Sequence, residues 1–317
     1  MVKKPNKMKL REWRRRQIIR RVTAVGAIIL VAVFGKYKFN EYSTEKKAQE
    51  EAARIQAEKE QAEREAEFEK QQTIEDVLST DKYKDELTAL YEKYPQVETL
   101  LLNRDAYSDD LIEYFIGHEE AVDWVVDYPE YMEKSEEEIN EAANQPIPDS
   151  EETRNGIPLL FQWDQRWGYA SYGTGVIARD GCGPTVLSMA AIGFTGDQSL
   201  TPKVVADMAV EDGHYVEGSG SSWSLMDTGA KALGLSSSQI TQWATWAITD
   251  ELEKGNVVVC NVGLGDFTEI GHFILLVGLN EDGTVIVNDP NSRVNSEKNW
   301  EVQEILDQAK GLWTIGR

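Results

Sequence analysis

The chain holds two cysteines among 317 residues, and one of them, Cys182, stands in Asp180-Gly181-Cys182-Gly183-Pro184-Thr185. The apolar run Val186-Leu187-Ser188-Met189-Ala190-Ala191 follows, with small residues at helical spacing. Proline is at home in a first helical turn, so the spacing predicts a helix that begins at about Cys182. A thiol there feels the positive end of the helix dipole and the unpaired N–H groups of the first turn. Both favour the thiolate, which attacks carbonyls. The flanking glycines leave room for a substrate backbone. A small buried cysteine at a helix start is the competing reading.

A nucleophilic cysteine needs a base, and the base needs an orienter. Of three histidines, His118 reads as a surface residue of a helical segment and His214 sits in the polar loop 211–215. His272 differs, because it opens the apolar run His272-Phe273-Ile274-Leu275-Leu276-Val277, where a sheet can fix the ring. The turn Asn280-Glu281-Asp282-Gly283 predicts a hairpin with the next strand, which ends in Asn288-Asp289-Pro290. If Leu279 pairs with Thr284, His272 lies opposite Asn291, and Asp289 is its diagonal neighbour on the same face. A slip of one residue would turn Asp289 away and offer Asn288 instead. Asp before Pro is also ordinary turn chemistry.

The elements that must position these residues lie in 157–317, where most glycines and tryptophans and the β-branched runs are found. Helices are expected from Cys182 and over 201–211, 224–233 and 245–254, followed by strands 257–262, 272–279 and 284–288. A helix over 300–308 and a strand over 312–315 complete an α+β domain with a helical half and an antiparallel sheet. Cys260 falls inside the strand 257–262 and reads as core. Two cysteines make neither a disulfide framework nor a zinc site, although a bridge between them would silence Cys182. The acids are dispersed and the histidines isolated, so no metal or cofactor is expected.

The formal charge is −22, but residues 1–21 hold ten Lys/Arg against one Glu, so the rest carries −31. An acidic body does not suit nucleic acid. Fourteen uncharged residues, 22–35, follow the basic flank. That is short of the ~20 that span a bilayer, but flanking Arg and Lys can snorkel. No small-x-small cleavage site follows promptly, which favours a signal anchor over 22–39 with the basic side cytoplasmic and the C-terminal domain outside. Residues 40–72 are rich in charge and alanine, with pairs such as Glu50–Arg54 and Glu60–Arg64 at i,i+4 spacing, and read as a helical stalk. Residues 73–134 carry a repeat at an offset of 24, in which Leu87, Leu90, Tyr91 and Val97 match Leu111, Tyr114, Phe115 and Ala121. It reads as a small helical module that docks a protein partner or acts as a spacer. Residues 135–156 read as an acidic linker.

The order of cysteine, histidine on a strand and acid on the next strand is that of papain-type peptidases. Residues 157–317 resemble the bacterial family-39 cysteine peptidases and their free-standing relatives, which have a papain-like fold. The matching stretches are Ile157-Pro158-Leu159-Leu160-Phe161-Gln162-Trp163-Asp164, Arg166-Trp167-Gly168, Gly181-Cys182-Gly183-Pro184-Thr185, Gly271-His272-Phe273 and Asn288-Asp289-Pro290. The resemblance implies that Cys182 is the nucleophile, His272 the base and acid, and Asp289 the orienter. Gln162 would join the Cys182 N–H in the oxyanion hole. The twenty residues from Gln162 to Cys182 depart from the family spacing and leave Gln165 as the alternative. The implied activity is hydrolysis of peptide or protein substrates by a membrane-anchored, extracytoplasmic cysteine peptidase. A hydrolase of cell-wall peptide crosslinks, or an anchored binding module that keeps the fold without catalysis, are the alternatives.

Overall fold

The computed structural model describes residues 7–317, so the first six residues of the basic flank lie outside the described residues. The chain divides into two compact units, Met1–Thr73 and Ile74–Arg317.

The described residues of the first unit lie within the helix α1, Lys7–Thr80. Ile28, Leu30, Val31 and Phe34 are exposed. α1 is, among the described residues, the one helix long and apolar enough to cross a membrane. Its charged stretch is laced by Lys46–Glu50, Arg54–Glu58 and Lys59–Glu63 pairs at i,i+4 spacing. Each of these cations turns to the acid four residues later, whereas the expected Glu50–Arg54 and Glu60–Arg64 pairs run the other way. Exposed pairs contribute so little that either direction is close in energy.

The second unit begins with short helices: α2 (Lys84–Lys93), α3 (Val97–Leu102), α4 (Asp109–Gly117) and α5 (Val122–Val126). Their apolar stripes meet in a core that includes Leu87, Leu100, Phe115 and Trp124. Tyr169 and Ala178, far along the chain, belong to that same core, so this module is packed against the rest of the unit. The stretch expected as a linker is also part of the fold. It forms α6 (Glu136–Ala143), opened by a capping box of Ser135 and Glu138. Ile139, Ala143 and Ile147 recur every four residues and pack into the main core, a stripe too sparse to stand out in an acidic background.

The C-terminal part adds the helices α7 (Ile177–Asp180), α8 (Cys182–Thr195), α9 (Pro202–Glu211), α10 (Thr245–Glu253), α11 (Arg293–Glu297) and α12 (Val302–Gln308). A five-stranded antiparallel sheet contains β1 (Ser236–Gln239), β2 (Val257–Val262), β3 (His272–Leu279), β4 (Val285–Asn288) and β5 (Ala309–Gly316), in the order β4-β3-β2-β5-β1. Alternate residues serve opposite faces. Val257, Val259, Leu275 and Ile315 meet Val186 and Met189 of α8. Val258, Cys260, Ile274 and Leu312 meet Ile248 of α10 and Ile305 of α12. Both faces are covered, which is why the strands read as continuous apolar runs. The polar edge strand β1 carries no such pattern, and its sequence does not announce it as a strand.

The β3–β4 hairpin starts one residue away from the expected register, with Leu279 opposite Val285 rather than Thr284. Between Ile286 and Val287 the register shifts and skips Val277, so Val287 pairs with Leu276 and Asn288 with Leu275. Continued to the strand end, this shifted register restores the alignment that puts Asp289 on the face of His272.

Candidate active site

Cys182 is the first residue of α8, preceded by Gly181 at the N-cap. It is partly exposed and its thiol is free, as is that of the buried Cys260. Burial alone pushes the Cys260 thiol well above its ordinary range, so it is inert core. The glycines beside Cys182 do not hold space open for a substrate, contrary to expectation. A Cβ on Gly183 would fall 2.3 Å from Ser221 Oγ, and one on Gly181 2.5 Å from the Ile177 carbonyl oxygen. They permit close packing of residues 220–221 and of α7 around Cys182.

His272 opens β3 and is almost fully buried. Its Nε2 lies 2.7 Å from Asp289 Oδ1, and the Cys182 side chain is close enough to influence the ring. Burial is the largest single influence on the imidazole and pushes its pKa down. The Asp289 charge, the Asp289 hydrogen bond and the Cys182 side chain together push it up and prevail, so it is held above the ordinary 6.5.

Asp289 is fully buried and its carboxylate takes part in three hydrogen bonds. Besides the imidazole, Oδ1 accepts from the Asn291 N–H at 2.9 Å, and Oδ2 accepts from Asn295 Nδ2 at 2.9 Å. Its own N–H donates to Ser296 Oγ at 2.9 Å. Asn288, the rival orienter, points to the α8 side, where Nδ2 donates to the Pro158 carbonyl at 3.0 Å. Strand alternation separates the two neighbours.

Gln162 is buried; its backbone N–H donates to the Pro290 carbonyl at 2.7 Å, and Nε2 donates to the Ala178 carbonyl at 2.7 Å. One hydrogen of its amide is therefore engaged, and the second has no acceptor among the described residues. Gln165 is elsewhere: Nε2 donates to the Asp123 carbonyl and to Asp127 Oδ2, at 2.9 and 2.6 Å. The structure thus brings Cys182, His272 and Asp289 together and takes Gln165 away. Of the tryptophans, Trp167 is core, while Trp163 stacks on Phe161 and donates to the Asn291 carbonyl at 3.1 Å.

The other two histidines have partners of their own, and His118 is not the surface residue expected. His214 is buried, with Nδ1 at 2.7 Å from Ser224 Oγ. His118 is half-buried, stacked on Tyr114 with ring centroids 4.4 Å apart, and Nδ1 lies 3.0 Å from the Tyr114 carbonyl oxygen. Burial, followed by the charges of His272 and Arg179, holds its pKa below the ordinary value. His118 is therefore within electrostatic reach of His272, a proximity between residues 154 positions apart that no local pattern signals. Asn295 and Ser296 carry no sequence signal of their role either, because the contacts that matter form only when α11 folds back on Asp289. Among the described residues, no group of three His, Cys, Asp or Glu side chains is placed to hold a metal ion.

Residues 154–315 match the model of the Peptidase_C39 like family. No curated protein matches the chain. Among solved structures, that of a candidate C39-like peptidase from Bacillus anthracis is 16% identical and covers 53% of this chain and 98% of its own, with a TM-score of 0.32. The matched stretch takes in half the chain, all of the sheet but its last residue and every residue of the cysteine, histidine and acid cluster, and by that match the chain belongs to the Peptidase_C39 like family.

Proposed function

We propose that this chain is a cysteine peptidase that cleaves peptide bonds through Cys182, His272 and Asp289. The observation that carries the reading is the imidazole of His272, which meets the buried Asp289 carboxylate at 2.7 Å on one side and interacts with the partly exposed Cys182 side chain. An imidazole kept protonated by its acid is the partner that a thiolate requires. The sulfur attacks the amide carbonyl carbon and its electron pair forms the C–S bond, while the carbonyl oxygen takes up negative charge. His272 gives its proton to the leaving amine as the C–N bond breaks. Water then adds to the thioester with His272 as base, releasing the carboxylic acid and the thiol. Asp289 keeps the ring in place and balances its charge throughout.

The oxyanion has two candidate donors, the Cys182 N–H at the start of α8 and the second hydrogen of Gln162 Nε2. Such donors typically contribute a few kcal/mol because they are already aligned when charge develops. The apolar stretch of α1 and the basic residues before it support a membrane anchor with the peptidase on the outer side.

Cys182→Ala and His272→Ala should each abolish thiol-dependent hydrolysis of a peptide library while the circular dichroism spectrum stays that of the native protein. Turnover retained by either variant would refute the assignment.

A further inference from the structure

The Cys182–His272–Asp289 reaction gives no task to the helices of 73–134, which lie outside the family match. One residue from them reaches towards the catalytic acid. Glu120, between α4 and α5, accepts from Ser292 Oγ at 2.6 Å through Oε1 and from the Arg293 backbone N–H at 2.7 Å through Oε2. The Arg293 guanidinium is turned to Glu152 and Glu297, so Glu120 acts on the backbone of α11 and not on that side chain. Ser292 is the N-cap of α11: its Oγ accepts from the Asn295 N–H at 3.1 Å, and its carbonyl accepts from Ser296 Oγ at 2.8 Å. Asn295 and Ser296 are the side chains that grip Asp289, at Oδ2 and at the backbone N–H respectively.

We infer that Glu120 is a positioning residue for Asp289, acting through Ser292 and α11, so that the helical module is part of the catalytic machinery. The inference rests on the Cys182–His272–Asp289 reading. A helix of five residues has little stability of its own. Its place is fixed by its outside contacts: Trp300 and Arg154 donate to the Asn295 and Ser296 carbonyls, Arg293 pairs with Glu152, and Glu120 holds the N-cap hydroxyl and the first N–H of the turn whose side chains hold Asp289. If Glu120 is removed, the N-cap of α11 loses both bonds that fix it from the helical module, and Asn295 no longer aims as closely at one carboxylate oxygen. The imidazole then samples more orientations, which lowers turnover without touching substrate binding.

The test uses the full chain and the variants Glu120→Ala, Glu120→Gln, Asn295→Ala, Gln165→Ala and the double Glu120→Ala/Asn295→Ala. Gln165 also joins the module to the rest of the unit but does not lie on the path to Asp289. Glu120→Ala should lower kcat by about tenfold, the scale of one charge-assisted hydrogen bond, with KM unchanged. Glu120→Gln keeps the shape and one acceptor and should fall between; it stands in if the alanine variant does not fold. Gln165→Ala should stay within about twofold of the native kcat, below the worth of one such bond. The double variant should lose little beyond Asn295→Ala alone, because both act on one carboxylate.

Native kcat in Glu120→Ala, or equal losses in Glu120→Ala and Gln165→Ala, would overturn the inference. The rate of Cys182 carbamidomethylation by iodoacetamide is followed in parallel and needs no substrate. If native protein shows no Cys182-dependent hydrolysis, the peptidase reading fails. The Glu120 effect is then still judged by whether alkylation slows in Glu120→Ala and not in Gln165→Ala.

Discussion

At the level of single residues, the site turns on how His272 resolves two opposed forces. Its burial disfavours charge, and the Asp289 carboxylate beside it, together with Cys182, favours charge more strongly. This has a thermodynamic consequence with a definite sign. A histidine whose folded pKa lies above its unfolded value contributes stability that is fully present below the unfolded value of 6.5. That contribution is lost as pH rises through the raised folded value. The stability gap between native protein and His272→Gln, measured by urea unfolding, should therefore shrink as pH is taken from about 6 upward. A gap that widened with pH would mean that the imidazole is neutral in the folded state.

Among the elements, the β3–β4 hairpin carries most of the geometric precision. Had the register at its turn continued unshifted, Asp289 would face away from His272, because one residue of slip exchanges the two faces of a strand. The skipped residue, Val277, has its carbonyl taken up by Asn155 Nδ2 at 3.1 Å. Asn155 is held at φ 50, and a Cβ on Gly278 would fall 1.8 Å from that amide nitrogen, so the irregularity has a fitted partner. Asn155→Ala should lose about 1–3 kcal/mol of unfolding free energy, one hydrogen bond plus the penalty of a left-handed alanine. Asn155→Gly, which tolerates that backbone, should lose only the bond. Equal losses in the two variants would show that the backbone conformation is not part of the effect.

For the molecule as a whole, the consequential boundary is at residue 74 and not at the start of the family match. Tyr169 and Ala178 share the core of the helical module, Tyr169 donates to the Trp124 carbonyl at 2.8 Å, and Tyr114 donates to the Ala178 carbonyl at 2.9 Å. Cutting at 154 would strip that apolar surface of its cover. A chain of 74–317 should be monomeric and melt cooperatively, whereas 154–317 should aggregate or lack a cooperative transition, as read by size-exclusion chromatography and calorimetry. A well-behaved 154–317 would mean that the module is dispensable. The full chain should sediment with membranes and 74–317 should not, since the exposed apolar stretch lies in α1.

The amino-acid order alone determined the helix starting at Cys182, the strands of 257–262 and 272–279, and the pairing of a thiol with His272 and Asp289 as candidates. Each of these rests on local patterns: a proline in a first turn, unbroken apolar runs, an acid one step past a hairpin strand. Only the tertiary structure decided which glutamine is near the site, since Gln162 and Gln165 are three residues apart and differ in what packs over them. The same holds for the role of 135–156, whose three apolar anchors become visible only against the core they fill. It also holds for Glu120 and His118, which interact with the half that carries Cys182, His272 and Asp289 across more than 150 residues of chain. Periodicity records which face of an element is buried but carries no address for its partner, and a side chain's chemistry here is set by that partner.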